Sequence, residues 1–199
     1  MSETLRFERK KPGDFHSTVK ERVYRYFEEN KISQYANGEM YGKALVHILL
    51  YALGLGLIYS NQFQGLGLIL IYGYLGLMSG LMGFNISHDA LHGSFSPKRN
   101  INRWVGYTFD YNGESSFIWK ETHNVRHHTF TNITGYDGDI DKSPLIRFSP
   151  NDQWHPFNRF QPIYTWILYS LVSIPWVYYT DYKVFWSALK SGRATLSDA

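Results

Sequence analysis

The chain has 199 residues, a formal net charge of +3 and no cysteine. That length suits one domain, and the missing thiols exclude disulfides, iron–sulfur clusters and thiolate-held haem or zinc, so any metal must be held by His, Asp, Glu or Asn. The 20 Lys and Arg are scattered without a basic stripe, which argues against a nucleic-acid partner.

Residues 1–43 read as a polar lead-in. They carry nine Lys or Arg and no charged-then-apolar start, so no cleavable signal peptide is expected and the N-terminus is placed in the cytoplasm. Val19, Val23, Tyr26 and Phe27 fall at helical spacing. They predict an amphipathic helix over Val19–Glu29, lying on a membrane or on the protein body, with a plain solvated helix as the alternative.

From Ala44 to Ser87 there is no Asp, Glu, Lys or Arg. A membrane span needs about 20 apolar residues, and one central Lys would cost roughly 2.5–3.5 kcal/mol. The run is about twice that length and breaks once, at Asn61–Gly65. Two spans, near 44–60 and 65–87, are therefore predicted as a transmembrane hairpin. A buried hairpin in a soluble core is disfavoured, because soluble helices carry a polar face. Gly76 and Gly80 form a small-xxx-small pair, which predicts close packing on the first span. His47, inside that span, is expected to be a hydrogen-bonded structural residue.

Two crossings return the chain to the cytoplasm, and residues 88–161 carry eight Lys or Arg, in keeping with that side. The glycosylation sequons at Asn85 and Asn132 are discounted on this topology. The segment holds His88 and His92, then His123, His127 and His128, five of the eight histidines. Residues four apart share a helix face. Imidazole is the commonest metal ligand, and five exceed the three or four protein ligands of a usual zinc centre. The surplus points to two metals, although imidazole suits zinc, copper, iron and nickel alike. His155 stands alone and is expected to be structural. Ile163–Thr180 is a third apolar stretch, rich in Tyr and Trp and holding Pro175. Its aromatics favour an interfacial helix over a spanning one. The expected fold is an all-α membrane protein: a lead-in (1–43), a transmembrane hairpin (44–87), a cytoplasmic histidine segment (88–161), and an interfacial or spanning helix with its tail (162–199).

Asn85-Ile-Ser-His-Asp-Ala-Leu-His-Gly-Ser94 and His123-Asn-Val-Arg-His-His-Thr-Phe-Thr-Asn132 resemble the first and second histidine boxes of membrane fatty acid desaturases, nearest the acyl-lipid and linoleoyl-CoA branch. Phe95-Ser96, Gly113-Glu-Ser-Ser116, Trp119 and Asp137-Gly-Asp139 agree with it, and the likeness begins near residue 40. The resemblance implies a non-haem di-iron centre that activates O₂. It implies two electrons from a separate cytochrome b5- or ferredoxin-like carrier, and a cis double bond left in an acyl-CoA or acyl-lipid. His88, His92, His123, His127 and His128 match the family's iron ligands. Asp89, Asp137, Asp139 and Asp141 are the acids that would orient those imidazoles. Lys98, Arg99 and Arg103 are candidates to meet the phosphates of a CoA or lipid head; ordinary positive-inside charges explain them equally well. The family's third box, QxxHH or HxxHH, has no match up to Ala199. The expectation is an N-terminal portion that does not desaturate alone. The haem motif HPGG does not occur, in keeping with an external electron donor.

Three other readings compete. Membrane alkane hydroxylases share both spacings, but carry Glu after the first histidine of box one and directly before box two, where this chain has Asp89 and Thr122. His88-Asp-Ala-Leu-His92 also has the spacing of a zinc protease's HExxH, with Asp in place of the Glu base. The non-enzyme reading is a membrane fragment that only pairs with a full-length partner, or a decayed product with no activity.

Overall fold

The computed structural model describes Leu5, Phe7 and residues 13–140 and 145–195, and these form helices and turns with no strand. Helix α1 (Phe15–Glu29) starts at Asp14, whose Oδ1 accepts the Ser17 amide at 2.8 Å. That bond satisfies one of the N–H groups a helix start leaves open. None of the helix is buried, and Val19, Val23 and Tyr26 are all exposed. The apolar face is therefore not packed on the protein body.

Helices α2 (Gly38–Tyr59) and α3 (Leu66–Leu91) are each long and apolar enough to cross a membrane. Between them Asn61 and Gly65 both adopt φ +53°, the left-handed region that Asn and Gly enter at least cost. Contacts pair the start of one helix with the end of the other. Lys43 Nζ donates to Asn85 Oδ1 at 2.5 Å, and the Tyr74 hydroxyl donates to Leu50 O at 2.7 Å. His47 Nδ1 lies 2.8 Å from Lys43 O, the structural role expected of it. The closest approach differs from the expectation. A Cβ on Gly54 would lie 3.0 Å from the Tyr74 ring, whereas Gly76 and Gly80 have nothing within 4 Å. Tyr74 fills the space between the helices, so the small residue is needed opposite it, on α2.

Helix α3 is not uniform. Leu66–Met82 is α-helical, Gly83–Ser87 forms a π turn in which the His88 amide bonds Gly83 O, and His88–Leu91 resumes the α form. Helix α4 (Arg99–Tyr111) crosses that end so closely that a Cβ on Gly106 would lie 2.9 Å from Leu91 Cδ2. In the loop between them Phe95 is buried against Met82, Ile86, Ala90 and Ala44. Asn102, itself buried, ties the loop down. Its Nδ2 donates to Gly93 O (3.1 Å) and Ser96 O (2.7 Å), and its Oδ1 accepts the Ser96 amide at 2.7 Å. Asn102→Ala leaves these partners unmatched, and a buried orphan costs about 1–3 kcal/mol. A loss of roughly 2–4 kcal/mol is expected, read as a lower midpoint of thermal unfolding in detergent.

Helix α5 (116–130) is capped by Ser115, whose Oγ accepts the Ile118 amide at 3.3 Å. It is α-helical over Ser116–Trp119, π-helical over Lys120–His127 and α-helical again over His128–Phe130. Trp119 joins Leu91 and Phe109 in a second core, against which Trp176 packs. The third apolar stretch is broken: α6 (Gln161–Leu171), a turn at Ser173–Pro175, a π turn at Trp176–Thr180, then α7 (Asp181–Lys190). Pro175 lacks the N–H that a regular helix would use there. The segments before α7 bury no residue. His155 stacks on Phe157 with ring centroids 5.4 Å apart, and its amide donates to Asn158 Oδ1 at 2.8 Å, so it serves the turn before α6.

Candidate metal centre

The five predicted histidines form one cluster. His88 and His92 lie a turn apart at the end of α3, with ring centroids 4.5 Å apart. The other three belong to the π turn of α5 and its end. In a regular α-helix, adjacent residues such as His127 and His128 point about 100° apart. A π turn closes five residues apart, here through the His128 amide on His123 O. That register sets the His128 ring 5.0 Å from His123, while His127 stays stacked on His123 at 4.8 Å. The two sets then meet. His92 lies 4.8 Å from His128 and 5.4 Å from His123, and His88 lies 5.7 Å from His123.

Two acids grip this cluster from behind. His123 Nδ1 is 2.9 Å from Asp139 Oδ2, and His127 Nδ1 is 2.9 Å from Asp137 Oδ1. Asp137 is fully buried and also accepts the amides of Asn132 (2.8 Å) and Asp139 (2.9 Å). An Nδ1–H given to a carboxylate leaves Nε2 as the nitrogen free to bind a metal. Asp89 is 3.4 Å from His88 Nδ1, with both side chains well exposed, which is a weak contact. Asp141 lies outside the described residues.

Burial, then crowding by His88, His128 and His123, pushes the His92 pKa down to about 4. Burial lowers His123 as well, against the pull of Asp139. Burial alone would raise Asp137; the amides of Asn132 and Asp139 and the His127 ring outweigh it and hold the carboxyl below its usual range. Metal binding requires neutral imidazole and ionised carboxylate, and the site presents both at neutral pH. The same shifts set an acid limit. Unfolded, His92 titrates at its ordinary 6.5, so between there and about 4 the unfolded chain binds a proton that the fold does not. Stability therefore falls as the pH drops through that window, and Asp137 adds to the loss further down, as its own carboxyl protonates. The metal-free chain is expected to melt at lower temperature at pH ~5 than at pH ~7. Equal melting at both would contradict a half-buried His92 held neutral by its surroundings.

The family described as fatty acid desaturase matches residues 31–196. The chain belongs to the fatty acid desaturase family. It is 34% identical over 189 residues to the sn-1 linoleoyl-lipid 6-desaturase of Synechocystis sp., covering 92% of this chain and 50% of that one. The enzyme of the same name from Arthrospira platensis is 34% identical over 81% of this chain and 44% of its own length. The acyl-lipid (8-3)-desaturase of Physcomitrium patens is 30% identical over 92% of this chain and 39% of its own. The chain thus spans half or less of the length of these relatives. No solved structure matches it. The match favours neither the alkane hydroxylase nor the zinc protease reading.

The donor set of this desaturase-family chain fits a metal. Donor atoms of His88, His92 and His123 lie within 4.8 Å of one another. Two imidazoles sharing an ion at about 2.1 Å stand at most ~4.2 Å apart, so a small closure suffices. His92 Nε2 is buried without a hydrogen-bond partner. A buried nitrogen among imidazoles is satisfied by an ion better than by another ring. His123, His127 and Asp139 also lie close together, but there Asp139 faces the two Nδ1 atoms, at 2.9 and 3.6 Å, in the orienting role described above.

Three features of the site escaped the sequence reading. The Trp119 ring, named in the sequence without a role, stacks on His123 at 4.3 Å and stands 5.2 Å from His92. The π turn has no signal in the spacing, since a regular α-helix carries the same histidines at the same positions. The ties from α7 to α5 have no local signal: buried Asp181 accepts the Ser115 amide at 3.2 Å, and Arg193 pairs with Glu121.

Proposed function

We propose that this chain supplies five imidazoles of the di-iron centre of a membrane fatty acid desaturase, at the cytoplasmic face of the bilayer. The observation that carries the reading is the convergence of His88, His92, His123, His127 and His128 at the end of a helix long enough to span. Iron, when bound, supplies the O₂-dependent oxidation that removes two hydrogens from an unactivated acyl chain. His123, whose ring lies near those of the other four histidines, would be among the residues that hold the iron. Asp137 and Asp139 hold the imidazoles in one tautomer and orientation. Trp119 covers the cluster from the protein side and keeps water off that face. Helices α2 and α3 cross the bilayer as a hairpin, and the acyl chain approaches along them. The exposed apolar face of α1 and the aromatics of α6 lie in the interface.

The relatives' names favour an acyl-lipid substrate over acyl-CoA. Electrons come from a cytochrome b5- or ferredoxin-like carrier. Five imidazoles give two ions fewer than three each, below the count usual for a catalytic imidazole site. Turnover therefore calls for ligands beyond these five. The test is anaerobic Fe(II) titration of the full chain in detergent, followed by reductant, O₂ and a linoleoyl lipid. Two irons bound per chain and no new double bond are expected. Failure to retain iron would contradict the site, and product from this chain alone would contradict the ligand count.

A further inference from the structure

A cleft of about 950 Å³ opens beside His92 and runs along one face of α4. Arg99, Arg103 and Lys120 stand in its wall, against a single acid, Asp110. Asp110 is already engaged, since its Oδ1 accepts the Ser116 amide at 3.1 Å. Arg99 and Lys120 have no ion-pair or hydrogen-bond partner among the described residues. Arg103 is held in place: its Nε donates to the Tyr107 hydroxyl at 2.8 Å and its guanidinium lies 5.8 Å from that ring. Its two terminal nitrogens remain for a ligand, and a planar fork of this kind matches phosphate oxygens. Lys98, singled out in the sequence with Arg99 and Arg103, is not in the cleft wall; Lys120, from the π turn of α5, is.

The depth of the cleft narrows the ligand. The uncharged run of α3 ends at Ser87, about one turn before Leu91 closes the helix, so on the proposed placement the polar headgroup layer begins at this level. The Gly106–Leu91 contact and the Asn102–Gly93 bond hold α4 against that end, and with it Arg99 and Arg103. We propose that this cleft binds the phosphate of a glycerophospholipid headgroup, a step that rests on the membrane placement proposed above. A lipid held there has its acyl chains beside the histidine cluster, because His92 belongs to both.

The experiment titrates the full chain in detergent with dioctanoyl phosphatidylglycerol, followed by calorimetry. Dioctanoylglycerol, which has no phosphate, and inorganic phosphate are run beside it. Arg99→Gln, Arg103→Gln and Lys120→Gln are each expected to weaken phospholipid binding by about tenfold. Lys190→Gln, outside the cleft, is expected to change nothing. Undiminished binding in the variants, or dioctanoylglycerol binding as tightly as the phospholipid, would overturn the proposal. Inorganic phosphate binding as tightly as the lipid would overturn the lipid assignment. Iron content is measured on every sample. Lost phospholipid binding with iron retained supports the cleft. A wild-type chain that binds phospholipid but no iron would sink the di-iron reading and leave this one standing.

Discussion

Iron content is expected to fall to background in His123→Ala, while His88→Ala is expected to keep part of it. The difference follows from position. His123 is central, with ring centroids 5.7 Å from His88, 5.4 Å from His92, 4.8 Å from His127 and 5.0 Å from His128. It is also stacked between Trp119 at 4.3 Å and His127 at 4.8 Å, so its loss removes a packing partner from each. His88 neighbours His92 and His123 among these rings and is about two-fifths exposed. Elemental analysis of iron per chain, after anaerobic loading and gel filtration, reads the two variants directly. Equal retention in both would mean that His123 has no central part in the cluster.

Asp137→Asn is expected to weaken iron binding by about 10–100-fold, the usual loss when the hydrogen-bond partner of a metal-bound imidazole is removed. The substitution is small in volume and large in chemistry. The buried carboxylate accepts from His127 and from the amides of Asn132 and Asp139. A carboxamide turns one accepting oxygen into an N–H₂ donor aimed at other donors. One buried bond is lost and one clash gained, which costs about 1–3 kcal/mol of stability. Asp89→Asn is the control: its contact with His88 is 3.4 Å and exposed, and little change is expected. A competition titration with a chromogenic chelator, alongside a melting curve, separates the two effects. Similar losses in both variants would show that the buried carboxylate has no special part in holding His127.

Much of this was written locally in the chain. The uncharged run from Ala44 to Ser87 and its break at Asn61–Gly65 are composition, and composition alone decides which helices are apolar enough to span. The histidines declared themselves by spacing. What spacing could not show is the helix type between them. Regular α-helical geometry fans His127 and His128 apart, and only the π turn brings both beside His123. The small-residue pair Gly76 and Gly80 misled, because a stripe of glycines says that close approach is allowed, not where it occurs. The aromatic Tyr74 decided that, and it called for Gly54 on the other helix. Asp137 was one of several acids in a loop. Its burial depends on amides of Asn132 and Asp139 that curl around it, which no periodicity records. The tie from Asp181 to Ser115 joins residues far apart in sequence and was beyond any local pattern.

X-ray absorption at the iron edge of the loaded full chain reads the proposed centre most directly. Imidazole nitrogens near the ~2.0–2.1 Å of histidine–metal bonds, with the outer-shell signature of their ring carbons, are predicted for the wild type and lost in His123→Ala. A shell of oxygens alone, the same in both proteins, would contradict it.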